Sequence, residues 1–184
     1  EAELVGPLVD LAERLHSLDT IKARAAPIDL EAELRPYQER GLAWLAEMAE
    51  LRLGGVLADD MGLGKTIQAI TVMLDWRKQR NSKTAILIVC PVSVLGNWRR
   101  ELNRFAPSMR VSLHHGKGRA GTPDEFRAVI EGNDVVLTSY NLLQRDEELM
   151  DTVTFDGVGD FPYFCSFHGT ARRGQRGRVI VVAG

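Results

Sequence analysis

The residues with the plainest chemistry lie between Asp59 and Thr66, where the chain reads Asp-Asp-Met-Gly-Leu-Gly-Lys-Thr. Its last three positions, Gly64-Lys65-Thr66, are the tail of the phosphate-loop pattern G-x-x-x-x-G-K-[ST], although Asp59 stands where the pattern has its first glycine. The physical demands of such a loop are still met. Gly62 and Gly64 let the backbone turn its N–H groups inward, and a following helix offers its positive N-terminus to an anion. Lys65 can reach β and γ phosphates, and the Thr66 hydroxyl can ligate Mg²⁺. The expected ATP-binding set is therefore Asp59, Asp60, Met61, Gly62, Leu63, Gly64, Lys65 and Thr66, with Lys65 and Thr66 as the catalytic pair. The alternative is a glycine-rich turn with an incidental lysine.

Positioning such a loop requires a strand before it and a helix after it. The run Val56-Leu57-Ala58 supplies a short strand, and helical spacing resumes from Thr66 to about Trp76. Upstream, residues 1–29 read as a helical lead-in, and Leu42, Leu45, Ala49 and Leu53 keep helical spacing until Gly54-Gly55. Downstream, Thr84 to Val89 is a buried-type strand, and residues 95–105 return to helix with Ser93 as N-cap. Arg110 to His115 is a further strand, Thr122-Pro123-Asp124-Glu125 opens a helix with a capping box, and Asp134 to Thr138 is a strand again. Strands alternating with helices predict an α/β fold with a doubly wound parallel sheet, a pattern that holds to about residue 145.

Composition excludes little. The 184 residues are 45% hydrophobic and 26% charged, with 25 acids against 23 bases, so wholesale disorder is excluded but no partner is named. Distribution says more, because residues 77–104 hold seven bases and one acid. The longest apolar run, Ile86 to Leu95, contains a proline and is short of the roughly 18 residues a membrane helix needs, so no membrane partner is expected. Two cysteines, Cys90 and Cys165, make no disulfide framework.

Four segments together carry a resemblance: LRPYQERGLAWL (34–45), LADDMGLGKTIQ (57–68), ILIVCPVSVLGNWRREL (86–102) and VVLTSYNLL (135–143). In order and spacing they resemble the opening motifs of the Swi/Snf-type helicase-like DNA-dependent ATPases, with Gln38 lying 27 residues before Lys65. The resemblance implies a RecA-like first motor lobe over residues 30–145 that uses ATP and Mg²⁺ and engages duplex DNA inside the cell, in the cytoplasm at the nucleoid. It makes Gln38 the residue that reads the adenine edge. Pro91, Ser93, Arg99 and Arg100 then fall in a motif that follows a DNA strand, and Thr138, Ser139 and Tyr140 in one that meets a DNA phosphate. The alternatives are a solvated basic helix face for the arginines and a plain strand cap for the threonine; Trp98 reads as a core anchor. The family next has an apolar strand ending in an Asp-Glu pair, and a second motor lobe carrying an arginine finger. Neither Asp124-Glu125 nor Asp146-Glu147 follows such a strand, so an incomplete first lobe is expected.

Beyond a junction at 146–151 the pattern changes. Residues 152–184 hold β-like runs joined by glycine turns, and 152–182 resemble the copper-loop end of the cupredoxins, a short all-β fragment. That resemblance implies Cys165, His168 and the weaker axial candidate Gln175 as copper ligands, with a second histidine wanted upstream among His16, His114 and His115. It would place the chain outside the cytoplasm. Three functions therefore compete: an ATP-driven DNA translocase lobe, a nucleotide-binding module without turnover, and a copper electron-transfer protein.

Overall fold

A computed structural model describes residues 23–51, 55–57, 59–60, 62–80 and 85–151, together with the single positions 13, 16 and 21. The elements are α1 (Pro36–Glu50), α2 (Lys65–Arg80), β1 (Ile86–Cys90), α3 (Val92–Phe105), β2 (Val111–Leu113), α4 (Pro123–Gly132), β3 (Val135–Ser139), α5 (Tyr140–Arg145) and α6 (Glu147–Asp151).

Every strand pairing is parallel, in the order β1-β3-β2, so β1 stands at the margin of the sheet among the described residues. Ile86 is level with Val135, Cys90 with Ser139, and Leu113 with Leu137. All five residues of β1 and of β3 are buried, as continuous apolar strands covered on both faces must be. On one face, Ile86, Ile88, Val135 and Leu137 pack against Ile70 and Met73 of α2 and Leu95, Trp98 and Leu102 of α3. On the other, Leu87, Val89 and Val136 pack against Phe126 and Ile130 of α4 and Met150 of α6. Helices on both faces of a parallel sheet are the doubly wound arrangement the alternation of elements predicts. Residues 146–151, read from sequence as a junction, here form the turn at Asp146 and helix α6, whose Met150 is core.

The N-terminal edge of the sheet is closed by charge. Asp134, just before β3, accepts hydrogen bonds from the Arg110 backbone N–H (2.7 Å) and the Arg110 guanidinium (3.1 Å), and pairs with Arg77 at 2.7 Å. Burial alone would raise the Asp134 pKa, but these two arginines hold it below the usual carboxylate range. Arg77, one of the seven bases between residues 77 and 104, is thus engaged in holding α2 to the sheet.

Some local expectations change. Residues 55–57 form no strand, and Val56 is 82% exposed; an apolar triplet becomes a strand only where a neighbour supplies the ladder. Helix α3 begins at Val92 rather than 95, with Pro91 (φ −57) as N-cap and Ser93 inside the first turn, so Ser93 is not the cap. The capping box at α4 forms as read. Thr122 accepts from the Glu125 N–H (3.3 Å), and Glu125 Oε2 accepts from the N–H groups of Thr122 (3.2 Å) and Gly121 (2.8 Å), which keep the Glu125 pKa low. Residues 152–184, including Cys165, His168 and Gln175, lie outside the described residues. No helix among the described residues is long and apolar enough to cross a membrane.

Candidate functional site

Helix α2 starts at Lys65, directly after a loop whose Gly62 and Gly64 have φ of +85° and +76°. Those left-handed conformations exclude ordinary side chains and turn the chain sharply into the helix. The first turn of α2 has no acidic residue, so its own side chains do not offset the positive helix end, which suits an anion. The Lys65 ammonium folds back over the loop, donating to the carbonyl oxygens of Asp59 (2.9 Å) and Asp60 (3.1 Å). Thr66, half-buried in that first turn, is the hydroxyl available to a cation accompanying phosphate. Asp60 and Leu63 are exposed, and Met61 lies outside the described residues. Lys65 and the loop amides could hold an anion such as a phosphate chain here.

Helix α1 brings Gln38 to this loop. The buried Gln38 amide donates from Nε2 to the Leu63 carbonyl (3.1 Å) and accepts at Oε1 from the Arg35 N–H (2.9 Å). Tyr37 also donates to the Leu63 carbonyl, at 3.0 Å. A β-carbon at Gly64 would sit 2.6 Å from Gln38 Nε2, so the glycine is needed for proximity as well as for its dihedral angle. One helical turn along each helix, the roles exchange. Gly41 on α1 faces Gln68 on α2, and a β-carbon at Gly41 would run into Gln68 Oε1. Gln68 is 1% exposed, its Nε2 donates to Asp59 Oδ2 at 2.8 Å, and its Oε1 has no hydrogen-bond partner. Sequence reasoning passed over Gln68 and Gly41. The available signal was a polar residue one turn beyond Lys65, on the face of α2 that the core claims.

A second feature lies at the C-terminal ends of the strands. After β1 the chain enters α3 on one face of the sheet; after the adjacent β3 it enters α5 on the opposite face. Neighbouring strands whose connections leave on opposite sides open a crevice at their carboxyl ends, where α/β proteins take ligands. Because Cys90 is level with Ser139, Pro91 and Tyr140 stand at its two lips. Pro91, Ser93, Arg99 and Arg100 are exposed on and before α3, Arg100 donating to Asn97 Oδ1 at 3.0 Å. Thr138 is buried, its hydroxyl donating to the His114 carbonyl at 3.2 Å, while Ser139 is buried with its hydroxyl unpartnered. Tyr140 is half-buried. The expected DNA set thus divides into an exposed basic group and a buried strand end. Trp98 is core, as read. Burial pushes the Cys90 thiol up to about 11.

Behind β2, His114 is fully buried; its Nε2 lies 2.9 Å from Asp146 Oδ2, and its ring stacks edge-on against Phe126 with centroids 5.1 Å apart. Arg119 also binds Asp146, with contacts of 2.8 and 3.2 Å, and this hydrogen bonding holds the Asp146 pKa below the usual carboxylate range. Asp146, considered from sequence only as half of an Asp-Glu pair, therefore pins the 114–121 loop to the turn before α6. No cluster of three or more metal-binding side chains occurs among the described residues.

Comparison with known proteins agrees with this geometry. Residues 37–158 match the SNF2-related domain. The chain is 42% identical over 156 residues to YwqA of Bacillus subtilis (strain 168), whose name describes an ATP-dependent helicase/translocase; the match covers 85% of this chain and 17% of that protein. It is 34% identical over 163 residues to the chromatin-remodeling ATPase INO80 of Arabidopsis thaliana, covering 80% of this chain and 11% of INO80. A solved structure of the Sulfolobus solfataricus SWI2/SNF2 ATPase core in complex with dsDNA superposes with a TM-score of 0.60 at 42% identity, over 71% of this chain and 26% of that one. The chain thus spans about a sixth or less of the length of these two relatives. On the match over residues 37–158, and with the loop and sheet arranged as described, the chain belongs to the SNF2-related domain family.

Proposed function

We propose that this chain is the ATP-binding lobe of a DNA translocase: it takes Mg-ATP on the 59–66 loop and the backbone of duplex DNA at the crevice between α3 and α5. The observation that carries the reading is the loop itself, with two left-handed glycines, Lys65 at the start of a helix free of acids in its first turn, and Gln38 held against Leu63. Lys65 and the loop amides hold the phosphates, Thr66 ligates Mg²⁺, and Gln38 exchanges its present partners for the adenine edge. Arg99 and Arg100 meet DNA phosphates, with Pro91 and Ser93 shaping one lip of the crevice and Thr138, Ser139 and Tyr140 the other. A second motor lobe closes over the nucleotide, and the protein works on DNA inside the cell. The family match and the relatives named for ATP-dependent translocase and remodelling activities support this reading.

Because turnover depends on an arginine that a second lobe supplies, the test reads binding. A fluorescent ATP analogue with Mg²⁺ should bind the parent chain and not Lys65→Ala, whose far-UV spectrum should be unchanged. Equal binding by both would remove the phosphate-loop reading. Two unrelated duplexes should bind alike and weaken with salt, and Arg99→Ala/Arg100→Ala should bind less and show a shallower salt slope. Salt-insensitive binding, or strong discrimination between the duplexes, would contradict the DNA reading.

A further inference from the structure

We propose that Gln68 is a positioning residue for the nucleotide, one that sets the closed shape of the phosphate loop through Asp59; the proposal rests on reading 59–66 as an ATP site. Its side chain ties the start of the loop to helix α2, while its backbone makes the ordinary helical bond to the loop's end. At the start of the loop, Asp59 accepts at Oδ2 from Gln68 Nε2 (2.8 Å); at its end, the Gly64 carbonyl accepts from the Gln68 backbone N–H (3.2 Å). Lys65 then closes the ring by donating to the Asp59 carbonyl at 2.9 Å. Moving Asp59 moves a carbonyl that holds the Lys65 ammonium, and hence the place where that ammonium waits for phosphate.

The surroundings of Gln68 show that packing alone does not account for it. The side chain is 1% exposed beside the apolar core residues Ala69 and Ile70, and its carbonyl oxygen is buried against Gly41 with no donor. An unmade hydrogen bond of this kind works against folding, and a methionine of similar length would avoid it. What methionine lacks is the N–H that reaches Asp59. Position 59 matters for the same reason. The common phosphate-loop pattern has glycine there, whereas here a carboxylate supplies the acceptor that lets helix α2 grip the loop.

The experiment compares the parent chain with Gln68→Met, Gln68→Glu, the double variant Asp59→Asn/Gln68→Glu and Lys65→Ala, measuring affinity for a fluorescent ATP analogue with Mg²⁺ and thermal unfolding by circular dichroism. Gln68→Met should unfold at or above the parent temperature yet bind nucleotide about ten-fold more weakly, the scale of one lost bond to a charged group. Gln68→Glu sets two carboxylates face to face and should bind least. In the double variant the amide introduced at position 59 donates to the carboxylate introduced at position 68. The bond is restored with its direction reversed and the net charge unchanged, and affinity should recover. Gln68→Met binding within about two-fold of the parent would overturn the proposal, as would a double variant that binds no better than Gln68→Glu. A parent chain that binds no better than Lys65→Ala would instead remove the ATP-site reading, and this inference with it.

Discussion

Gly41→Ala should destabilise this protein, although the same substitution in a helix interior ordinarily stabilises. Alanine is favoured over glycine inside a helix by roughly 1 kcal/mol, because it loses less backbone entropy. Gly41, in the middle of α1, is denied that gain because its new β-carbon would run into Gln68 Oε1. That oxygen belongs to a side chain 1% exposed, and its amide nitrogen is bonded to Asp59. Pushing it aside carries an overpacking cost of about 1–3 kcal/mol, and losing the bond to Asp59 adds about 1–2 kcal/mol. Against the propensity gain, the net loss should be about 2 kcal/mol, or roughly 4–8 °C in unfolding temperature for a chain of this size. Gly96 is the internal control. It lies exposed in α3, and a β-carbon placed on it would meet nothing within 4 Å, so Gly96→Ala should raise the unfolding temperature. Adding Gln68→Ala to Gly41→Ala should recover part of the loss, a coupling that a double-mutant cycle reads directly. Thermal unfolding followed by far-UV circular dichroism provides the assay. If Gly41→Ala stabilises as Gly96→Ala does, the close docking of α1 on α2 is refuted.

Two further outcomes follow from the titratable groups. Hydrogen bonding to Arg119 lowers the Asp146 pKa, so the unfolded chain takes up a proton first as the medium is acidified; Asp146 then contributes stability above about pH 4 that is lost as pH falls through its lower native value. Asp146→Asn should cost about 1–2 kcal/mol at neutral pH and flatten acid unfolding in that window, and an unchanged acid limb in urea titrations would contradict the His114–Asp146–Arg119 assignment. Cys90, buried in β1 with its thiol pushed up to about 11, should resist alkylation in the folded protein and react only on unfolding. Iodoacetamide labelling of a Cys165→Ser background, read by mass, would show otherwise if Cys90 reacted at the rate of a free thiol.

The features legible in the sequence were those whose reasons are local. Glycines before Lys65 had to turn the chain, and the Thr122–Glu125 capping box needs only four consecutive residues. Thr84 to Val89 reads as a buried-type strand and Asp134 to Thr138 as another, and their alternation with helices points to the doubly wound class; the strands run Ile86–Cys90 and Val135–Ser139. What escaped depends on partners distant in the chain. Val56 and Leu57 have the composition of a strand, but composition cannot say whether a neighbour supplies the ladder. The start of α3 was misplaced because Ser93 suggested a cap, whereas Pro91 fixes the backbone angle two residues earlier. The site was legible in its loop and not in its support. Gln68 with Gly41, and His114 with Asp146, are contacts across 27 and 32 positions, and no periodicity announces them.

The marginal place of β1 among the described residues has a consequence for how the chain behaves in company. Edge strands are usually blunted by a lysine, a bulge or a covering segment, because a bare row of N–H and C=O groups templates the strand of another molecule. Within β1 the sequence carries neither charge nor proline, Ile86-Leu87-Ile88-Val89-Cys90 running in unbroken register against β3, yet all five residues are at most 5% exposed in the folded lobe. Short windows of this composition are the seeds of cross-β assembly once they find a copy of themselves. The strand that makes the core of this lobe dense therefore becomes adhesive only when the lobe opens and uncovers it. Conditions that loosen the fold, more than the surface of the folded lobe, will set how readily copies of it associate.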